Sequence, residues 1–249
     1  FTVMGESMEL LSETNIFIDD KWSTTIPELK SKIRRLKIEK NDLESFCNDD
    51  ETLASTFELN SKNMMALIIP KTYEISWATS LDDFTKLLKE SYDSVWTEGK
   101  KNKAKGLGYS VSEIITIASI TQCESHIKSE QNKIAGVYIN RLKQNMKLQA
   151  DPTLVFANQN FDVQRVLSSD KDVDSPYNTY KYKGLPPGPI CLVEPTTIEA
   201  VLNYTKHSHT FFCAKPDFSG YSNYTNEYAV HQKNAKAYQE ALNKRGINR

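Results

Sequence analysis

From Ser110 to Ile127 the chain reads as a helix that is apolar on nearly every side, and no other segment constrains the fold as strongly. Ser110-Val-Ser-Glu113 opens it in the manner of a capping box, in which a hydroxyl and a carboxylate satisfy one another's backbone N–H. A helix without a polar face belongs inside a core, not on its surface. Any charged group on it therefore stands out. Glu124, in Ile117-Ala-Ser-Ile-Thr-Gln-Cys-Glu-Ser125, is such a group, and Ile117, Ile120 and Thr121 share its face. Loss of water disfavours the ionised carboxylate, and so does the negative end of the helix dipole. The position therefore predicts a raised pKa, suited to a general acid near neutral pH. From the helix pattern alone the residue also reads, and more simply, as a carboxylate satisfied by Lys128 or by a partner in the core.

Around this helix the patterns are mixed. Asn15 to Asp20 reads as a short strand, and Ile26, Leu29, Ile33 and Leu36 make an amphipathic stripe behind Pro27. Residues 42–59 read as one or two short helices, with Leu43, Phe46, Leu53 and Phe57 directed to the core. A long helix is expected over 80–105, opened by Ser80 and Asp83 and weakened late by Gly99. Further helices are expected at Lys133–Leu142, Thr196–Tyr204 and Glu227–Leu242, with a strand at Thr210–Ala214. Between Asp151 and Pro195 the chain is rich in Pro, Gly, Asn and Asp, with a helical pattern only at Val163–Leu167. Long ordered loops inside a domain usually carry function. The class is α+β, mostly helical, with a small β-sheet and a smaller N-terminal lobe.

The charge balance narrows the partners. A net charge of −1 leaves no basic excess for a nucleic-acid face. The longest apolar run, Met64 to Ile69, stops at Pro70, far short of the ~18 residues that cross a bilayer. No signal peptide is seen, and the chain starts with Phe1. The cysteines at 47, 123, 191 and 213 form no CxxC pair, so a metal site has little support and disulfide pairing stays open. A Cys123 nucleophile with His126 as its base lacks an orienting group and an oxyanion hole.

Two further stretches carry candidate chemistry. In Met146-Lys-Leu-Gln-Ala-Asp-Pro-Thr153, Asp151 reads as an Asx-turn or helix-entry residue, and otherwise as a second carboxylate. Ser175-Pro-Tyr-Asn-Thr-Tyr180 leads into Gly184-Leu-Pro-Pro-Gly-Pro-Ile190. Its prolines stiffen the segment, Gly184 and Gly188 permit unusual backbone angles, Tyr177, Tyr180 and Tyr182 offer flat faces, and Asn178 offers an amide. That mixture suits a sugar-binding pocket, and it suits a rigid structural loop as well.

Taken in order, these stretches resemble the MltG/YceG-like endolytic murein transglycosylases. Ala118-Ser-Ile-Thr-Gln-Cys-Glu124 is similar to that family's Ala-Ser-Ile-Val-Glu-Lys-Glu segment, and Ile69-Pro-Lys-Thr-Tyr73 to its Phe-Pro-Asp-Thr-Tyr. Ile134-Ala-Gly-Val-Tyr-Ile-Asn-Arg-Leu142, Met146–Thr153, Ser175–Tyr180 and Gly184–Ile190 follow its later motifs in order and approximate spacing. The pair Glu124-Ser125 is also similar to the catalytic dipeptide of other lytic transglycosylases. Four positions depart from the pattern: Gln122 for Glu, Lys71 for Asp, Ser222 for His and Val230 for Glu. The first removes one candidate acid. His231 keeps its place, although a lone His on a helix face is commonly structural.

The resemblance implies an N-terminal lobe over 1–60, a LysM-like remnant plus helices, and a catalytic domain over 61–249. It implies cleavage of the β-1,4 bond between N-acetylmuramic acid and N-acetylglucosamine, leaving 1,6-anhydro ends. Glu124 is the implied acid/base, with Gln149, Asn178 and Tyr180 on the sugars and Asp151 and Thr153 shaping the site. No metal or cofactor is implied. The partner is the peptidoglycan glycan strand, together with cell-wall synthesis proteins, and the implied setting is a membrane-anchored enzyme facing the periplasm or outer surface, its anchor outside this chain. A hydrolase using Asp151 as second carboxylate and a non-catalytic glycan-binding protein are the alternatives.

Overall fold

The computed structural model describes residues 13–18, 40–76, 78–161 and 166–246, so the stripe at Ile26–Leu36 and most of the Val163–Leu167 pattern lie outside it. Among the described residues the fold is α+β and mostly helical, with its strands in two antiparallel pairs. β1 (Glu13–Ile18) pairs with β2 (Lys71–Ser76), Glu13 opposite Ser76 and Ile18 opposite Lys71. Between them lie α1 (Lys40–Asn48), α2 (Asp50–Phe57) and a 3₁₀ turn at Met64–Leu67. Leu53 and Phe57 are buried as their spacing requires, and Phe46 packs partly against the same core.

The helix expected over 80–105 is two. α3 (Leu81–Val95) and α4 (Glu98–Leu107) meet at Trp96-Thr97, upstream of Gly99. There Thr97 is extended (ψ 157°) while the Trp96 indole enters the core at 1% exposure. Burial of this one large side chain fixes the break within a stretch, Ser94-Val-Trp-Thr97, whose helix propensity is modest.

α5 (Val111–Glu124) is the central helix, with every side chain from Ile114 to Gln122 buried. Its cap is the reciprocal box: the Glu113 N–H donates to Ser110 Oγ (3.2 Å) and the Ser110 N–H to Glu113 Oε2 (2.8 Å). It ends at Glu124 and not at Ile127, because Ser125 is extended (φ −158°) and its hydroxyl accepts from the Ile127 N–H at 3.2 Å. α6 (Lys128–Lys143) consequently starts a turn earlier than its apolar pattern, which brings Glu130 and Gln131 into the helix.

α7 (Asp151–Asn158) emerges from the Pro- and Asn-rich stretch, and α8 (Pro195–Leu202) follows it, both with proline in the first turn. α4, α6, α7, α8 and the 3₁₀ turn all pack on α5. β3 (Phe211–Ala214) and β4 (Ser222–Thr225) form a hairpin, Phe211 opposite Thr225, and α9 (Tyr228–Lys244) closes over it.

The Gly184–Ile190 loop is held by contact. Gly184 has φ +85°, as its sequence reading expects. Gly188 serves differently: a Cβ there would lie 2.3 Å from the Lys62 carbonyl oxygen, so its absence lets the loop lie on the 62–63 backbone.

Candidate active site

Glu124 is delivered by the last turn of α5, half-buried. The Tyr138 hydroxyl donates to its Oε1 at 2.6 Å. Burial pushes the Glu124 carboxyl up to about 8, against the opposing pull of the Tyr138 hydrogen bond. The nearby Asp151 carboxylate adds to the rise, and Arg141 reduces it. Lys128 is exposed, and the observed partner of the carboxylate is a phenol.

Tyr138 lies on the face of α6 that also carries Glu130, Ile134 and Arg141. The Tyr138 ring meets Phe212 of β3 edge-to-face at 5.9 Å, and Phe212 stacks on Tyr224 of β4. The hairpin thus wedges the phenol against Glu124. Buried Glu130 accepts from the Ser222 N–H (2.7 Å) and the Tyr224 hydroxyl (2.9 Å), anchoring β4 to the start of α6. Arg141 donates from Nε to the Thr210 carbonyl (2.6 Å) and from Nη1 to the Leu148 carbonyl (2.6 Å). One guanidinium so ties the hairpin to the segment that leads into Asp151.

Asp151 opens α7, and the Tyr180 hydroxyl donates to its Oδ1. Burial raises the Asp151 carboxyl, and the Tyr180 bond and Lys171 oppose the rise. The Lys171 ammonium sits 4.5 Å from the centre of the Tyr180 ring. Glu124, Tyr138, Asp151, Tyr180 and Arg141 therefore form one electrostatic group.

The remaining candidates divide. Gln149 is exposed beside this group and holds a left-handed backbone (φ 49°). Thr153 is fully buried, its hydroxyl bonded to the Ala150 carbonyl and to Thr179 Oγ1, both at 2.7 Å. Asn178 is fully buried as well. Its Nδ2 donates to the Lys171 (2.9 Å) and Val173 (2.8 Å) carbonyls, and its Oδ1 accepts from the N–H groups of Tyr180 (3.0 Å) and Lys181 (3.1 Å). Two donors and two acceptor positions of Asn178 are thus all engaged inside the loop, and the Thr153 hydroxyl is engaged with Ala150 and Thr179.

Tyr138, Arg141, Thr179 and Glu130 carry no role in the sequence reading. The motif Ile134–Leu142 contains two of them, but their common face gains meaning only once the hairpin packs on it. Gln122, where the resemblance expects Glu, is buried: its Nε2 donates to the Leu192 carbonyl (2.9 Å), and its Oε1 accepts from the Glu194 N–H (2.9 Å) and the Thr197 hydroxyl (3.0 Å). His126 is exposed, and Cys123 faces Cys191. Among the described residues no cluster of His, Cys, Asp and Glu is arranged to hold a metal ion, and no helix is long and apolar enough to cross a membrane. A cavity of about 650 Å³ lies at the far end of α5 from Glu124, lined by Ser110, Glu113, Lys143 and Leu185.

Fold and site define a helical α+β domain that presents a protonatable carboxyl beside a carboxyl–phenol pair. The YceG-like family matches residues 4–237, and the chain belongs to that family. It is similar to the endolytic murein transglycosylase of Bacillus subtilis (strain 168), 35% identical over 216 residues, covering 84% of this chain and 59% of that protein. The endolytic murein transglycosylase of Streptococcus pneumoniae (strain ATCC BAA-255 / R6) is 31% identical over 174 residues, covering 67% of this chain and 31% of that protein. The chain thus spans less than two thirds of either relative. The crystal structure of a yceG-like protein from Listeria monocytogenes superposes with a TM-score of 0.68 at 26% identity, covering 88% of this chain and 75% of that one.

Proposed function

We propose that this chain is the peptidoglycan-cleaving part of an endolytic murein transglycosylase, with Glu124 as its acid and base. The observation that carries the reading is a half-buried carboxyl that accepts from the Tyr138 hydroxyl, on the helix where the family motif runs, and burial pushes it up to about 8. At neutral pH such a group is mostly protonated, the state in which it can hand a proton to the glycosidic oxygen. As carboxylate it then removes the proton from the muramic acid's 6-hydroxyl as that oxygen attacks the anomeric carbon. The bond to N-acetylglucosamine breaks, a 1,6-anhydro ring closes and no water is consumed. A nucleophile tethered within the substrate supplies proximity. Because the Tyr138 bond falls on Oε1, the proton is carried on Oε2. Gln149 and Tyr180 are proposed to face the sugars, and Asp151 to hold Tyr180. The setting proposed is outside the cytoplasmic membrane, with the anchor on a part of the protein beyond this chain.

One observation favours a second reading. Asp151 lies near enough to Glu124 to raise it, so a water-activating second carboxylate is at hand for hydrolysis. The two chemistries are separated by digesting purified peptidoglycan in ¹⁸O-water and weighing the fragments. Anhydromuramic ends without label are expected. Labelled reducing ends would establish hydrolysis, and intact strands would leave a binding protein.

A further inference from the structure

The segment after Ile190 lies along the last turns of α5. The Ile190 N–H donates to Ser119 Oγ (3.1 Å), and Gln122 holds Leu192 and Glu194. Between these ties the side chains of Cys123 and Cys191 face one another, Sγ to Sγ 3.0 Å, roughly 1 Å beyond a disulfide bond length. Both are thiols in the structure. Cys191 is 1% exposed and Cys123 half-buried, immediately before Glu124.

We propose that Cys123 and Cys191 are an oxidative modification site, closing to a disulfide that staples the helix of Glu124 to the segment entering α8. The oxidant is a small disulfide. Cys123, the more open thiol, loses its proton and attacks one sulfur of the oxidant, releasing one thiol and leaving a mixed disulfide. The Cys191 sulfur then attacks Cys123 Sγ, and the second thiol departs. One S–S bond is broken and one is made. Both cysteines are oxidised, and the oxidant leaves as two thiols carrying the two protons.

The position gives this bond its meaning. The chain between the two cysteines contains Tyr138, Arg141, Asp151 and Tyr180, so the staple closes a loop of about 70 residues around the whole site. Closing a loop of that length restricts the unfolded chain strongly. The backbone on both sides is already fixed by hydrogen bonds, so closure needs only a small movement of the sulfurs and leaves Glu124 in place.

The test treats the full chain with oxidised glutathione, then alkylates it in denaturant and digests it without reduction. Mass spectrometry should find the Cys123 and Cys191 peptides joined and lighter by about 2 Da, with Cys47 and Cys213 alkylated. The melting temperature should rise by roughly 10 °C and fall back on reduction. Cys191→Ala should abolish both the cross-link and the rise. Alkylation of Cys123 and Cys191 after oxidation would overturn the proposal. So would a lasting glutathione adduct on Cys123, pairing of Cys123 with Cys47 or Cys213, or a cross-link without a change in melting temperature.

Discussion

At Glu124 the same surroundings act on proton affinity and on stability. A carboxyl raised to about 8 binds a proton in the folded chain between its unfolded value of 4.5 and 8, a range in which the unfolded chain has lost it. Stability therefore falls as pH rises through that window, and above it the full penalty persists. Glu124→Gln carries no charge to desolvate. We expect it to abolish cleavage and to melt progressively higher than the wild type between pH 5 and 8, as followed by thermal melts across pH. A constant difference would mean that the carboxyl titrates as if exposed. Tyr138→Phe removes a hydrogen bond that favours the carboxylate, so the Glu124 pKa should rise further. The alkaline limb of kcat/KM should move to higher pH, while kcat falls roughly 10-fold or more from lost orientation. An unmoved limb would make Tyr138 a packing residue only.

Elements explain what could and could not be read from the sequence. α5 was legible because an apolar run with a capping box has one comfortable fate, and the hairpin strand β3 was legible from its aromatic pair Phe211-Phe212. β2 was not, because its partner β1 lies more than 50 residues earlier and pairing is non-local. β4, Ser222-Asn-Tyr-Thr225, is too polar to signal a strand without β3 beside it. The break at Trp96-Thr97 is only weakly marked by the modest helix propensity of Ser94–Thr97, and core burial of Trp96 decides it. At the candidate site, the enclosed position of the Glu124 carboxyl was legible from its helix, whereas its interactions with Tyr138 and Arg141 were not: both sit in a recognised motif but meet their partners across the fold. The loop holding Asn178 shows the same limit. Its amide suits a sugar in sequence and a backbone in structure. Asn178→Ala should accordingly lower stability by about 3 kcal/mol in urea unfolding, with activity lost through displacement of Tyr180. A normal midpoint with lost activity would return Asn178 to the sugars.

Across the whole molecule, the glycine contacts show how tightly distant parts are joined. Gly188→Ala forces a methyl onto the Lys62 carbonyl and should cost about 1–3 kcal/mol. Gly106→Ala, inside α4 with open space around it, should be neutral or stabilising by about 0.5–1 kcal/mol. Equal unfolding midpoints for the two variants would mean that the loop does not rest on residues 62–63.

Gln122 carries a consequence for descent. Its amide donates to one carbonyl and accepts from an N–H and a hydroxyl, three bonds that a charged carboxylate cannot make together. The acidic residue that the family pattern expects can no longer return alone. Gln122→Glu should be tolerated near pH 4, where a protonated acid can still donate, and should lose stability steadily toward neutral pH, as urea unfolding at several pH values would measure. A pH-independent cost would show that shape alone matters there. Substitutions at 122 and along 192–197 are thus expected to change together among relatives, each step admissible only in the company of the other.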